Sequence, residues 1–138
     1  MFKLSSTSLR RLEGVDDRLL DIIDMALKIS LVDFGIPADG GVRTAERQNE
    51  LFKQGVSKCN GFTTPSYHQS GLAFDVYAYV GKASWDEAHL AMVATAILQA
   101  AAHKGHPLRW GGLWKRKRAI LVNGIQYGWD CGHFELRE

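Results

Sequence analysis

The longest periodic stretch of the chain, "SWDEAHLAMVATAILQAAAHKG", constrains the fold more than any other feature. Leu90, Val93, Ala94, Ile97 and Leu98 recur at three- and four-residue steps, which puts one apolar stripe along a helix. Ser84 and Glu87 have capping-box spacing, so the helix is expected to open at Ser84, and Gly105 and Pro107 close it. Its many alanines predict close packing against another element. Two more helical patterns come earlier. From about Ser8 to Ser30, Leu9, Leu12, Leu19, Ile22, Ile23, Ala26 and Ile29 form a stripe, read as one helix or as a pair broken at Gly14. A shorter one runs from Thr44, as N-cap, to Gly55 as its stop.

Strand signals are brief and lie in the second half. "LAFDVYAYV" alternates from Leu72 to Val80, "HFEL" does so near the C-terminus, and Asn123-Gly124 between apolar runs signals a hairpin. Helices first and antiparallel-type strands later argue for an α+β fold rather than a βαβ winding. The expectation is a small antiparallel sheet packed against about three helices. A chain of 138 residues, 46% hydrophobic and 23% charged, can bury a core, and no repeat or Pro-rich linker divides it.

Seventeen basic residues against fifteen acidic ones leave a net charge of +2, too little for a nucleic-acid footprint. No apolar run approaches the roughly 18 residues of a membrane span, and "MFKLSSTSLRRLEG" lacks the apolar core of a signal peptide. Cys59 and Cys131 are too few for a disulfide framework and read as free thiols in a reducing compartment.

The chemistry-bearing residues lie on the strands. In an extended "GLAFDVY", Asp75 points away from the face of Leu72, Phe74 and Val76. His68, seven positions earlier, meets it only if Gly71 bends the chain. In "HFEL", His133 and Glu135 share a face, and Asp130 lies three residues before His133. Two histidines and one carboxylate with an open fourth position is a recurring arrangement for catalytic zinc. A further carboxylate is what takes a proton from the attacking water. The same residues also permit a plain His68–Asp75 structural pair, with Asp130 capping a turn and Cys131 as an alternative ligand.

"SYHQSGLAFD" resembles the S-x-H-x-x-G-x-A-x-D signature of a zinc peptidase family. That family includes D-Ala-D-Ala carboxypeptidases and dipeptidases and the L-alanyl-D-glutamate endopeptidases of phage endolysins. "GVRTAERQNELFKQG", "LRWGGLW" and "DCGHFEL" resemble the endolysin branch in the same order. The resemblance implies a Hedgehog/DD-peptidase-like sheet in which His68, Asp75 and His133 hold one Zn2+ per chain. It further implies Asp130 as the catalytic acid and base, Arg43 as the group contacting substrate and developing negative charge, and Ser66 as a substrate-positioning residue. Glu135 is either a partner that steadies a ligand histidine or an ordinary strand residue.

The implied function is hydrolysis of the L-alanyl–D-glutamate bond of bacterial peptidoglycan. It implies a monomer that waits in the host cytoplasm until lysis, with no membrane insertion and no separate cell-wall-binding domain within residues 1–138. A D-Ala-D-Ala carboxypeptidase or dipeptidase, and a non-catalytic wall-binding module on the same zinc scaffold, are the alternatives. His89, His103 and His106 read as solvated or capping residues, and Trp110 and Trp114 as core or cleft wall. "KRKR", Lys115 to Arg118, has no counterpart in the matched stretches; it reads as a solvated loop or an attraction to an anionic wall.

Overall fold

In a computed structural model, residues 1–114 and 130–137 are described in full and residues 121–122 and 125–126 by their backbone. The fold is α+β, with four helices and small antiparallel sheets among the described residues. The long N-terminal pattern is a broken pair, α1 (Ser6–Arg11) and α2 (Asp17–Ile29), with Gly14 between them at φ 84°. The break rotates part of the expected stripe outward. Leu9 is 57% exposed and Ile29 43%, whereas Leu19, Ile22, Ile23 and Ala26 are buried.

Strand β1 (Asp33–Gly35) follows, then α3 (Ala45–Lys53), capped by Thr44 Oγ1 accepting from Arg47 N at 3.0 Å. A 3-10 turn (Tyr67–Ser70) leads into β2 (Ala73–Asp75). The single strand expected over Leu72–Val80 is two: β3 (Tyr77–Tyr79) belongs to a different sheet. The switch falls at Val76, whose N–H donates to Gly132 O at 2.8 Å while its side chain stays in the core.

Strand β4 (Ala83–Ser84) precedes α4 (Glu87–Lys104), so the helix opens later than the capping-box spacing suggested. Asp86 is the cap, accepting from Ala88 N and His89 N, and Gly105 ends the helix in the left-handed region. Strand β5 (Leu108–Trp110) carries only three residues after Pro107 and gives no strand signal in the sequence. Strands β6 (Leu121–Val122) and β7 (Ile125–Gln126) pair antiparallel. The expected Asn123-Gly124 turn and the Lys115–Arg118 run lie outside the described residues. Strand β8 (His133–Leu136) is the last element.

One sheet has the order β1-β3-β4 and the other β2-β8-β5. A single apolar cluster joins them to α2 and α4, whose mutual contact is the most extensive between helices. Ala94, Ala100 and Ala101 of α4 are buried, and their small side chains allow the close helix approach that the alanine content predicted. Phe74 of β2 and Phe134 of β8 are registered partners with rings stacked 5.3 Å apart, which locks the register of the second sheet. Cys59 and Cys131 form no disulfide with one another. No helix among the described residues is long and apolar enough to cross a membrane.

Candidate metal centre and cleft

The β2–β8 ladder places Asp75 directly opposite His133. His68 arrives from the 3-10 turn, which ends in Gly71 at φ 74°, a left-handed conformation that glycine adopts without strain. The bend expected at Gly71 is therefore real. A side chain there would also meet the Gly14 carbonyl at 2.7 Å, so turn and α1–α2 corner are pressed together.

The two rings are oriented by what stands behind them. His68 Nδ1 lies 2.8 Å from the Gly41 carbonyl oxygen, which only accepts, so Nδ1 carries the hydrogen and Nε2 presents a lone pair. His133 Nε2 lies 2.9 Å from Glu135 Oε1, which by the same reasoning leaves the Nδ1 lone pair facing inward. His68 Nε2 and His133 Nδ1 are 3.2 Å apart. Asp75 Oδ1 is 3.3 Å from the first and 2.9 Å from the second.

Three acceptors so close repel one another unless a cation sits among them. A shared proton is one solution: burial lowers the His133 pKa, but the Asp75 and Glu135 contacts win and push it up to about 9. A divalent metal ion is the other, and two imidazole nitrogens with one carboxylate oxygen form a donor set suited to it. Burial likewise pushes the Asp75 carboxyl up, yet His68 and His133 beside it hold it far below the usual range.

The residues to which the resemblance assigns roles, Arg43, Ser66, His68, Asp75, Asp130 and His133, line one cleft of about 370 Å3 together with Glu135. Arg43 reaches it from just before α3. Its Nε donates to Asp39 O, Nη1 to Gln48 Oε1 and Nη2 to Asp75 Oδ2, at 2.8, 3.0 and 3.0 Å. Three of its five N–H groups are thus spent on holding its own position and Asp75; the other two have no partner among the described residues. Ser66 Oγ accepts from His68 N at 3.2 Å, so this hydroxyl caps the turn that carries His68 and keeps its own hydrogen to donate.

The Asp130 carboxylate forms no hydrogen bond within the described residues. Its pKa is raised, first by burial and then by the charge of Asp75, against the pull of His133, His68 and Arg43. Trp114 forms cleft wall, its ring 5.0 Å from that of His133, while Trp110 packs on the core and donates from Nε1 to Cys131 O. Cys131 also packs against the core and does not line the cleft. His89 bonds Ser84 Oγ, His106 bonds Asp21 and His103 is exposed; none of the three lines the cleft.

Other wall residues had no signal in the sequence. Gln48 is fully buried behind Arg43, and its Nε2 donates to Ser57 Oγ and Cys59 O, which pins the 56–59 segment as a side of the cleft. A glutamine on an exposed-looking helix face gives no hint of this, because the segment it holds is nine to eleven residues away.

A family model described as phage L-alanyl-D-glutamate peptidase matches residues 1–137. Among solved structures, the chain is similar to the L-Ala D-Glu endopeptidase ChiX of Serratia marcescens. The two share 32% identity over 98% of this chain and 90% of that one, with a TM-score of 0.78. It is also similar to the L,D-carboxypeptidase DacB from Streptococcus pneumonia. That likeness has 18% identity over 92% of this chain and 68% of that one, with a TM-score of 0.47. No match was found among curated proteins.

Proposed function

Because the chain belongs to the phage L-alanyl-D-glutamate peptidase family and is a peptidase, we propose that it is a zinc-dependent endopeptidase. Its substrate is the L-alanyl–D-glutamate bond in the stem peptides of bacterial peptidoglycan. The observation that carries this reading is the convergence of three inward-facing acceptor atoms beside the Asp130 carboxylate, which forms no hydrogen bond among the described residues. His68, Asp75 and His133 would hold the ion, and the donor set suits zinc. When bound, it would supply a water of lowered pKa and polarise a carbonyl.

The chain's own groups do the rest. Asp130 accepts a proton from the attacking water, whose oxygen adds to the alanyl carbonyl carbon. It returns that proton to the glutamyl nitrogen as the C–N bond breaks. The raised pKa of Asp130 suits a group that must both take and give a proton. Arg43 turns its two unspent N–H groups toward the carbonyl oxygen as charge develops there. Ser66 offers its hydroxyl hydrogen to the substrate backbone, and Trp114 forms an apolar wall.

The described residues form one catalytic domain that acts as a monomer. Its biological role is that of an endolysin, which stays in the host cytoplasm until lysis gives it access to the wall. Digestion of purified peptidoglycan with and without a zinc chelator tests the activity, and mass spectrometry of the fragments names the bond. Release of L-alanine-terminated glycan that stops with chelator is expected. Release of terminal D-alanine would replace the reading with a carboxypeptidase, and no release at all with a wall-binding module.

A further inference from the structure

Glu135 and Arg109 are registered partners across the β8–β5 ladder. Arg109 Nη2 donates to Glu135 Oε2 at 2.9 Å, and the other oxygen of that carboxylate faces His133 Nε2 at 2.9 Å. The same Nη2 donates to the Tyr67 hydroxyl at 3.2 Å, and the guanidinium carbon lies 5.8 Å from the centre of the Tyr67 ring. Tyr67 immediately precedes His68. One side chain on β5, a strand that supplies none of the three acceptor atoms, thus touches the carboxylate behind His133 and the residue next to His68.

Resting on the zinc-dependent reading above, we propose that Arg109 is a positioning residue of the metal centre. It anchors Glu135 Oε2 so that Oε1 stays on His133 Nε2, and it ties the Tyr67 end of the 3-10 turn to β8. Without Arg109 the carboxylate is held by one oxygen only. It then rotates, His133 Nε2–H loses its acceptor, and the ring is free to turn its lone pair away from His68. Partners behind a ligand histidine fix its tautomer and direction in this way. Arg109 is 44% exposed and Glu135 11%, so the solvent-screened ion pair adds little to stability, and the contribution is one of direction. The planar fork and the contact with the Tyr67 ring suit arginine; a lysine reaches one partner as a point charge.

The test is the zinc dissociation constant of the apo chain, measured by competition with a chromophoric chelator, with far-UV circular dichroism confirming the fold. Arg109→Ala is expected to weaken zinc about 10- to 100-fold and to alter the visible bands of the cobalt(II) form. In an Glu135→Ala background the same change should add less than about threefold, since coupled residues are not additive. An unchanged dissociation constant in Arg109→Ala overturns the proposal, and so does a full loss that persists without Glu135. If Arg109→Ala fails to fold, Arg109→Gln carries the same comparison, and wild-type affinity there overturns it. A wild-type chain that binds no zinc overturns the parent reading with this one; tight binding indifferent to Arg109 overturns this one alone.

Discussion

The two three-stranded sheets are built from similar short antiparallel strands, and one stretch of chain, residues 73–79, feeds both. They differ in what covers their second face. In β1-β3-β4 one face meets the core through Phe34 and Ala78, and Tyr79 on the other is 47% exposed. In β2-β8-β5 the central strand β8 is buried on both faces. Phe134 and Leu136 go to the core, and His133 and Glu135 lie under the cleft. Alternation alone makes the two sheets look alike. A polar face costs free energy when buried unless every group is paired. On the β8 face Glu135 meets that condition with Arg109 and His133, whereas His133 Nδ1 meets it only through a cation shared with His68 and Asp75.

Substitutions should separate the two sheets cleanly. The largest effect is expected at Asp75 or His133. Alanine at either should abolish zinc in elemental analysis and bring peptidoglycan cleavage to the uncatalysed rate, and retained metal would break the contrast. Asp130→Ala should keep zinc yet lose about 10²- to 10⁴-fold in kcat, the usual worth of a positioned proton carrier. Phe34→Ala, in the plain sheet, should do the reverse. A loss of about 3–5 kcal/mol in denaturant unfolding is expected, with one zinc kept per folded chain.

Titration gives a finer test. Asp130 must be ionised to take the proton, and burial with the Asp75 charge raises its pKa. In the metal-free chain it is therefore protonated sooner than an ordinary aspartate as pH falls, and a carboxyl NMR titration of that form should place Asp130 above 3.8. A titration at or below that value would break this account of its surroundings. The smallest effect is expected from Ser84→Ala in β4. It removes the hydroxyl shared by Asp86 N and His89, for about 1 kcal/mol of thermal stability and no change in zinc affinity.

How far the sequence reached follows the same division. Helices α2 and α4 were legible because each buries a stripe set by local periodicity, and α3 because Thr44 caps it; Gly105 ends α4 where expected. Leu9 misled, because the chain turns at Gly14 and the stripe no longer points one way. The residues of the cleft were legible through spaced motifs. Their supports were not: the Gly41 carbonyl behind His68, Gln48 behind Arg43, and Arg109 behind Glu135 are contacts between segments 5 to 27 residues apart. No periodicity encodes them. The switch at Val76 was hidden for a related reason, since its inward side chain preserves the alternation while its N–H changes partner.

The place of β8 between β2 and β5 also ties completion of the sheet to completion of the site. Neither neighbour pairs with the other, so before β8 docks both are strands without a ladder. Docking must close loops of 58 residues to Asp75 and 65 to His68, the slow, long-range kind of contact. Completion of the sheet and gathering of the three acceptor atoms are then one event. A collapsed intermediate holding α2 against α4 would be compact, helical and chemically silent. Regain of activity during refolding should accordingly lag the far-UV signal.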